Sequence, residues 1–261
     1  MSQAGRGEAF AALHERGTFV IPNPWDAGSA RVLEALGFQA LATTSSGFAF
    51  ALGRRDGGVT LEELADHVSA LTESTSLPVS VDLEDGYGDA PSAIRRMAEA
   101  GAVGASIEDW ERSGSLLAVE RAAERVAAAA EAAHGLGFPF LLTARAENHI
   151  RGNPDLDDTI ARLQAYESAG ADVLYAPGLA TVDEIRAVCE AVSLPVNVLA
   201  RPNLGVAEIA GAGARRVSVG GGLTWVAMNA LVEAATAIRD DGDLSVLAGR
   251  SHVLDDALSE R

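Results

Sequence analysis

Eight short runs of apolar and β-branched residues alternate with longer segments of helical periodicity along the 261-residue chain, and this repeat constrains the possible folds most. Glycine steps such as Gly101-Ala102 and Gly170-Ala171 fit helix ends that lead into the next run. Eight strand and helix units in this order predict one (β/α)8 TIM barrel over residues 1–240, and an open doubly wound sheet is the alternative. The predicted strands are 18–22, 40–45, 78–84, 102–108, 139–145, 172–176, 195–199 and 215–219. The predicted helices are Ala27–Leu36, Leu61–Ser74, Ser92–Ala100, Leu117–His134, Asp157–Ala169, Val182–Val192 and a last one from about Leu223 to Arg239.

Charge and hydropathy exclude several classes of partner. The formal net charge of −17 argues against nucleic acid, because binding to a phosphate backbone uses clustered basic side chains. No window approaches the roughly 18 uninterrupted apolar residues of a membrane span, and the first residues lack the apolar core of a secretory signal. We therefore expect a cytoplasmic protein without a membrane partner.

All twenty basic residues are arginines, and the chain contains no lysine. Schiff-base aldolases and pyridoxal-phosphate enzymes need a lysine amine, so both classes are excluded. If this barrel stabilises a carbanion, a group other than an iminium must take the negative charge.

The alternation of side chains along the predicted strands places acidic residues inside the barrel near the strands' carboxyl ends, where the chemistry of such barrels occurs. Asp82 and Glu84 share one face of the run PVSVDLEDG, and Glu108 ends the adjacent strand on the same face. Two such carboxylates repel by roughly 2 to 3 kcal/mol at an effective dielectric of 20, so a cation or a shared proton is needed. Oxygen-only ligands favour a hard divalent cation. Asp82, Glu84 and Glu108 are therefore predicted to hold Mg²⁺, with Mn²⁺ as the alternative.

Two further inward-facing residues are candidates for binding a small-molecule substrate. Arg145 ends the predicted strand 139–145, and it either clamps a substrate carboxylate or is a counter-ion for Glu108 and Glu147. Asn197 either reaches the distal carboxylate of the substrate or makes a structural hydrogen bond inside the barrel.

The segment TTSSGFAF after the second predicted strand offers hydroxyl groups and backbone N–H groups to an anion. Ser45, Ser46 and the backbone around Gly47 would bind a carboxylate, and the alternative is that the segment is only a turn.

The segments PNPWDAGSARVLEALGF, TTSSGFAFALGRRDG, VDLEDGYGD, SIED and ARAE occur in this order along the chain. Together they resemble the isocitrate lyase and phosphoenolpyruvate mutase superfamily, and the similarity runs from about residue 15 to about residue 235. The most specific part is VDLEDGYGD followed about twenty residues later by IED.

This resemblance implies a (β/α)8 barrel, Mg²⁺, and the enolate of a 2-oxo acid formed by cleaving or moving a bond at C3. A cation chelated by a 2-oxo carboxylate can take the enolate charge without a lysine. The resemblance assigns Asp82, Glu84 and Glu108 to the metal and its water shell, Ser46, Gly47 and Arg145 to the substrate carboxylate, and Asp56 to a supporting role. The catalytic candidates are accordingly Arg145, Glu108 and Asp56.

The resemblance also implies a homo-oligomer, either a dimer or a tetramer in which terminal helices swap between subunits. We accordingly expect that the tail 241–261 can form a helix and can pack on a neighbouring subunit.

The loop after the fourth predicted strand departs from the specialised members of the superfamily. Isocitrate and methylisocitrate lyases have a sequence like Lys-Lys-Cys-Gly-His there, and phosphoenolpyruvate mutases have a Lys and an Asn, whereas this chain reads DWERSGSLLAVERA. A standard isocitrate lyase is therefore not expected. The chain is more similar to oxaloacetate decarboxylases and to 2-methylisocitrate and dimethylmalate lyase-like members. His149 is either the missing proton donor or a solvated loop histidine.

Three functions are compatible with this pattern. The first is a Mg²⁺-dependent carbon–carbon lyase or decarboxylase that acts on a small 2-hydroxy or 2-oxo dicarboxylic acid through a pyruvate-like enolate. The second is carbon–phosphorus chemistry, as in phosphonopyruvate hydrolysis or phosphoenolpyruvate rearrangement. The third is a barrel that binds a 2-oxo acid without turnover, which the altered loop after Glu108 suggests.

Overall fold

The computed structural model describes residues 1–249 and 251–258. Its strands are β1 (Phe19–Ile21), β2 (Leu41–Ala42), β3 (Val79–Asp82), β4 (Gly104–Glu108), β5 (Leu141–Arg145), β6 (Val173–Tyr175), β7 (Val196–Leu199) and β8 (Arg216–Ser218). All are parallel and form one sheet in the order β1-β8-β7-β6-β5-β4-β3-β2. The sheet closes where the backbone N–H of Ala42 donates to the carbonyl of Pro22 at 3.1 Å. The predicted (β/α)8 TIM barrel is confirmed, and the open-sheet alternative is wrong.

Helices follow the strands around the barrel. They are α1 (Gln3–Glu15), α2 (Ala27–Ala35), α3 (Ser45–Ala51), α4 (Leu61–Ser74), α5 (Ala90–Glu99), α6 (Val119–His134), α7 (Leu156–Ser168), α8 (Val182–Ala191), α9 (Val206–Gly211), α10 (Gly222–Asp241) and α11 (His252–Leu258). The seven predicted helices agree with this structure within two residues at each end. Capping explains part of this agreement, since Thr60 and Glu63 form a reciprocal capping box that begins α4. No helix in the described residues has the length and apolar character needed to cross a membrane.

The strands separate an apolar outer layer from a polar interior. Alternate residues such as Val81, Ile107 and Leu142 point outward and are fully buried under the helices. The residues between them point inward, as Arg216 on β8 shows by donating to Thr143 on β5 across the barrel. The alternation predicted from the sequence is therefore present, and it brings polar groups together inside the barrel.

Helix α1, which the sequence analysis did not predict, packs against the end of the barrel where the strands begin. Phe10 is fully buried there in a cluster with Phe19, Ile21 and Val103. A Cβ atom at Gly104 would lie 2.9 Å from Phe10 Cε1, so this position on β4 needs a glycine. Helix α1 therefore covers this end of the barrel with apolar side chains.

Helix α10 exposes apolar side chains to solvent. Among the described residues of this helix, Thr224 is buried. Val226, Leu231 and Val232 are 66%, 59% and 62% exposed. In the tail, α11 contacts α2 of the same chain, and the predicted packing of the tail on a neighbouring subunit stays a prediction. Residues 250 and 259–261 of the predicted tail lie outside the described residues.

His67 is a buried histidine on α4. Its ring stacks on Phe48 with centroids 3.8 Å apart, and its Nε2 atom has no hydrogen-bond partner in the described chain. Burial lowers the pKa of His67 from 6.5 to about 4, because the charged ring would lose its hydration. Between these pH values the unfolded chain binds more protons than the folded one. The free energy of unfolding therefore falls as the pH drops from about 6.5 to about 4.

We expect His67→Phe to reduce the loss of stability between pH 7 and pH 4.5 by about 2 kcal/mol, because the variant has no ring nitrogen to protonate. Urea denaturation at the two pH values measures this. The exposed His252 on α11 provides the control, since His252→Gln should keep the wild-type pH dependence. If His67→Phe also keeps the wild-type dependence, the buried ring is not a source of the acid sensitivity.

Candidate active site

Asp82, Glu108 and Arg145 end three neighbouring strands, so their side chains meet at the carboxyl end of the barrel. Arg145 Nη1 lies 2.7 Å from Asp82 Oδ1. Its Nη2 lies 3.0 Å from Glu108 Oε2 and 2.7 Å from Glu147 Oε1. The structure thus gives Arg145 the contacts of a counter-ion, and its other predicted role, as a clamp for the substrate carboxylate, stays a proposal.

Glu108 is the most deeply desolvated carboxylate of this cluster that faces the cavities. Burial raises the pKa of Glu108 to about 8, Arg145 acts against this rise, and the carboxylates of Glu147 and Asp82 add to it. Three carboxylates therefore face two arginines, since Arg151 also lies 3.6 Å from Glu108 Oε1 and 3.0 Å from Glu147 Oε2. Such a cluster attracts a further cation or a proton.

Glu84 reaches this region without belonging to β3. The strand ends at Asp82 and Glu84 has φ of +48°, so the predicted strand 78–84 is too long and its alternation does not orient Glu84. The Glu84 carboxylate accepts a hydrogen bond from Tyr87 Oη at 3.1 Å and lies 3.3 Å from Arg112 Nη2. Tyr87 also has a positive φ, of +55°. Left-handed backbone at two non-glycine residues is strained, so contacts such as these hold the loop in its conformation.

Two cavities meet at this cluster, and both are lined by Ser45, Asp56 and Arg145. Asp82 lines one of them, and Glu84 and Glu108 line the other. Asp56 itself is exposed, and its Oδ1 accepts from the Gly57 N–H at 3.2 Å.

The donor set suits Mg²⁺, because it consists of carboxylate oxygens. In residues 1–249 and 251–258, however, no three Asp, Glu, His or Cys side chains converge as ligands of one ion. Arg145 is the physical reason, since it bridges Asp82 and Glu108. The residues therefore fit a hard cation in their chemistry, and occupancy by metal would require Arg145 to share these carboxylates.

The predicted substrate-binding residues separate into those that line the inner cavity, of about 210 Å³, and one that does not. Ser45, Ser46 and Asn197 line it together with Arg145. TTSSGFAF is not merely a turn, because Ser45 begins α3. Gly47 lies outside the lining, and its N–H donates to Thr44 Oγ1 at 3.3 Å.

Gly47 instead permits close packing, since a Cβ there would lie 2.6 Å from both Thr224 Oγ1 and Thr44 Cγ2. Asn197 makes the structural hydrogen bonds that were one of its predicted roles. Its Nδ2 donates to Ser218 Oγ at 3.0 Å, and its Oδ1 accepts from Arg216 Nε at 2.9 Å.

Three arginines near the cavities were not identified from the sequence. Arg112 Nη2 lies 3.3 Å from Glu84 Oε1, and Arg151 Nη2 lies 3.6 Å from Glu108 Oε1. Arg216 lines the inner cavity. Arg112 and Arg151 come from loops, where strand alternation has no predictive value. Arg216 could have been found from the sequence. It lies two residues before Ser218 on β8, so both point into the barrel, where a charged side chain is unusual.

His149 does not line either of these two cavities in the described chain. Its side chain is 6% exposed, with Nε2 3.8 Å from Glu184 Oε1, so the prediction of a solvated loop histidine is wrong. Packing against α7 and α8 removes it from solvent, with Nδ1 3.4 Å from Thr159 Oγ1.

Asp109 connects the ends of β4 and β5 on the outer side of the barrel. It is 2% exposed, and its Oδ1 accepts from the Glu147 N–H at 2.8 Å. Its Oδ2 accepts from Arg162 Nη1 at 3.0 Å and from Tyr166 Oη at 2.5 Å. The acidic pair in SIED therefore divides its roles, since Glu108 faces the site and Asp109 holds the strand ends in position.

Asp109→Ala is expected to lower the free energy of unfolding by about 3 to 5 kcal/mol, because the buried Arg162 loses a charged partner. Urea denaturation at neutral pH measures the change. Asp183→Ala is the matched control, since it removes the partner of Arg186 at a side chain that is 94% exposed. That control should cost less than about 1 kcal/mol. Equal losses in the two variants would argue against a structural role for the buried network.

Known proteins with similar sequences and structures share this architecture. The sequence profile named phosphoenolpyruvate phosphomutase matches residues 10–239. The crystal structure of a Burkholderia cenocepacia J2315 protein described as a lyase/mutase superposes with a TM-score of 0.93 at 50% identity and covers 99% of this chain and 97% of that chain. An oxaloacetate decarboxylase from Bradyrhizobium sp. (strain BTAi1 / ATCC BAA-1182) is 34% identical over 207 residues, which are 75% of this chain and 70% of that protein.

The structure of a phosphonopyruvate hydrolase in complex with oxalate and Mg²⁺ superposes with a TM-score of 0.86 at 23% identity, and it covers 98% of this chain and 95% of that chain. At this identity the likeness shows a common fold. The profile match covers most of the chain, and the decarboxylase is 34% identical across three quarters of it. The chain therefore belongs to the phosphoenolpyruvate phosphomutase family and is a lyase of the isocitrate lyase and phosphoenolpyruvate mutase superfamily.

Proposed function

We propose that this protein is a Mg²⁺-dependent carbon–carbon lyase or decarboxylase that acts on a small 2-hydroxy or 2-oxo dicarboxylic acid and releases a pyruvate-like enolate. The observation that carries the proposal is the group of Asp82, Glu108 and Arg145 at the carboxyl end of the barrel, next to a cavity of about 210 Å³. The similarity to an oxaloacetate decarboxylase supports it.

Asp82, Glu84 and Glu108 would hold the cation directly and through water, with Mn²⁺ as the alternative metal. Bound Mg²⁺ supplies Lewis-acid stabilisation of negative charge on the oxygen of a 2-oxo group. The Mg²⁺ in the phosphonopyruvate hydrolase complex supports this choice of metal. Asp56 lines both cavities and would support the site from its rim.

Arg145 and the hydroxyls of Ser45 and Ser46 would orient the substrate carboxylate. Burial lowers the pKa of Arg145, but Glu147, Glu108 and Asp82 raise it above its usual value, so the guanidinium stays charged. Its bonds to these carboxylates fix its position before substrate binds. An arginine whose position is fixed in this way would orient a carboxylate through its remaining N–H groups.

Turnover of a panel of acids tests this proposal. With Mg²⁺ present, the purified protein should cleave at least one of oxaloacetate, 2-methylisocitrate and dimethylmalate, and removal of the metal by a chelator should stop the reaction. Isothermal titration with Mg²⁺ provides a readout that does not depend on turnover. No turnover of any compound in the panel would contradict the lyase proposal.

Carbon–phosphorus chemistry is the second candidate function, because the matching family profile is that of phosphoenolpyruvate phosphomutase. Phosphorus NMR with phosphonopyruvate and phosphoenolpyruvate would detect hydrolysis or rearrangement. Binding without turnover is the third candidate function, because the loop DWERSGSLLAVERA after β4 contains neither Cys, Lys nor His. Tight Mg²⁺-dependent binding of a 2-oxo acid without any product would favour that function.

We also propose a homo-oligomer, a dimer or tetramer, in which the exposed apolar side of α10 packs on a second copy of the chain. Val226 and Leu231 on this helix are more than half exposed. Exposed apolar side chains of this kind favour association. Sedimentation velocity should detect a species larger than a monomer, and Val226→Glu combined with Leu231→Glu should convert it to monomers. A monomeric wild type would contradict this assembly.

A further inference from the structure

Arg216 places a positive charge at the floor of the inner cavity. It begins β8, and its side chain crosses the barrel interior, where Nη2 donates to Thr143 Oγ1 at 3.0 Å. Thr143 precedes Arg145 by two residues on β5, so Arg216 lies about 6.6 Å deeper than the level of Arg145. Arg216 is 5% exposed and lines the cavity.

The partners of Arg216 are neutral. They are Thr143, Asn197 and His14, whose Nε2 lies 3.4 Å from Arg216 Nη1. His14 Nδ1 lies 2.8 Å from the carbonyl of Phe10. A carbonyl can only accept, so Nδ1 carries the proton and Nε2 accepts from Arg216. Burial, and then the charge of Arg216, lower the pKa of His14 to about 3, which keeps this ring uncharged at neutral pH.

Arg216 also lacks a carboxylate partner. Within residues 1–249 and 251–258, none of the ion pairs shorter than 4.0 Å includes Arg216. Burial lowers the pKa of Arg216 to about 10, and the guanidinium is still charged at neutral pH. A buried charge is normally paired, because removing it from water without compensation is unfavourable. This arginine therefore differs from Arg145, which contacts three carboxylates.

The floor of the cavity has hydrogen-bond donors available to an anion. A guanidinium has five N–H donors, and three of those of Arg216 are used, so one remains on each of Nη1 and Nη2. The hydroxyls of Ser80, Ser106 and Ser218 line the same part of the barrel and are neutral. Tyr175 lines it as well, and burial raises its pKa to about 12, so it is neutral too.

We propose that Arg216 binds the distal carboxylate of the substrate and thereby selects dianionic 2-oxo and 2-hydroxy acids over monoanionic ones. The inference rests on the proposed function, which places the first carboxylate at Arg145, Ser45 and Ser46. The second carboxylate supplies the missing counter-ion of Arg216. A short dicarboxylate that extends down the barrel can then contact both arginines at once.

Malate and 2-hydroxybutyrate test this assignment, because they differ only in whether the distal group is a carboxylate or a methyl. Isothermal titration in the presence of Mg²⁺ measures both dissociation constants. We expect the wild type to bind malate about 30-fold or more tighter, the size of one charge-assisted hydrogen-bonding contact. Arg216→Gln should reduce this ratio to about threefold or less and leave the affinity for 2-hydroxybutyrate unchanged.

Asn197→Asp is a second, nearly isosteric variant that leaves Arg216 in place. The new carboxylate would lie where Asn197 Oδ1 accepts from Arg216 Nε at 2.9 Å, and it would neutralise the guanidinium. This variant should also lose the preference for malate. It decides the question if Arg216→Gln does not fold.

A wild-type ratio below about threefold, or a wild-type preference that persists in Asn197→Asp, would overturn the assignment of Arg216. Equal weakening of the binding of malate and of 2-hydroxybutyrate in the variants would also overturn it. None of these results affects the proposed function, which the substrate panel tests separately. If the wild type binds neither compound, the assignment is overturned, and turnover of the panel then decides whether the lyase proposal survives.

Discussion

Asp82→Ala is expected to lower kcat/KM by about 1000-fold on any acid that the wild type cleaves. Asp82 Oδ1 lies 2.7 Å from Arg145 Nη1, and Asp82 Oδ2 accepts from the Ser45 N–H at 3.3 Å. The substitution would therefore remove a proposed metal ligand and the contact that positions Arg145. Steady-state kinetics with varied Mg²⁺ measure the loss, and isothermal titration should show weaker Mg²⁺ binding.

Asp89→Ala in the same loop is the control. Asp89 caps α5 by accepting from the Ser92 N–H at 3.2 Å, so its loss should weaken the start of this helix and leave the turnover within about threefold. Comparable activity losses in both variants would show that disturbance of the loop, rather than the chemistry of Asp82, causes the effect. Full activity of Asp82→Ala would contradict its assignment to the metal.

Arg145→Met is expected to lower the free energy of unfolding by about 3 to 5 kcal/mol, because it removes one partner of a buried ion cluster. Asp82, Glu108 and Glu147 would then repel one another with less compensation, because Arg151 contacts Glu108 and Glu147 but does not replace the contact of Arg145 with Asp82. Turnover should be lost as well, since the variant cannot bind the substrate carboxylate. Urea denaturation and steady-state kinetics measure the two effects.

Millimolar Mg²⁺ should raise the thermal midpoint of Arg145→Met more than that of the wild type, because the released carboxylates are free to bind the cation. Arg96→Met is the control, since it removes an arginine whose partner Glu62 is 71% exposed. It should cost less than about 1 kcal/mol and leave the response to Mg²⁺ unchanged. A response to Mg²⁺ that is lost in Arg145→Met would contradict the placement of the metal among these carboxylates.

Much of the candidate site could be predicted because strands have a simple geometry. In β3, β4 and β5 every second residue points into the barrel, which places Asp82, Glu108 and Arg145 inside. Parallel strands in a closed barrel also have their carboxyl ends on one side. Local periodicity is enough for both statements.

The same reasoning was less successful outside regular strands. Glu84 follows the end of β3 and has a left-handed backbone, so strand alternation does not apply to it. Helices α3 and α9 have only 7 and 6 residues, too few to show a clear helical period. Gly47 looked like part of an anion-binding turn, and the structure shows that neighbouring side chains leave no room for a Cβ there.

The sequence by itself determined the alternation of eight strands with helices and the inward direction of Asp82, Glu108 and Arg145, because these follow from periodicities of 2.0 and 3.6 along the chain. The closure of the sheet was decided by the tertiary structure, in which Ala42 contacts Pro22. Only the tertiary structure decided which charges meet. Arg145 contacts carboxylates from two other segments of the chain, and Arg216 is buried beside neutral groups with no carboxylate in reach among the described residues. Pairing and desolvation depend on residues that are distant in sequence, and no local pattern records them.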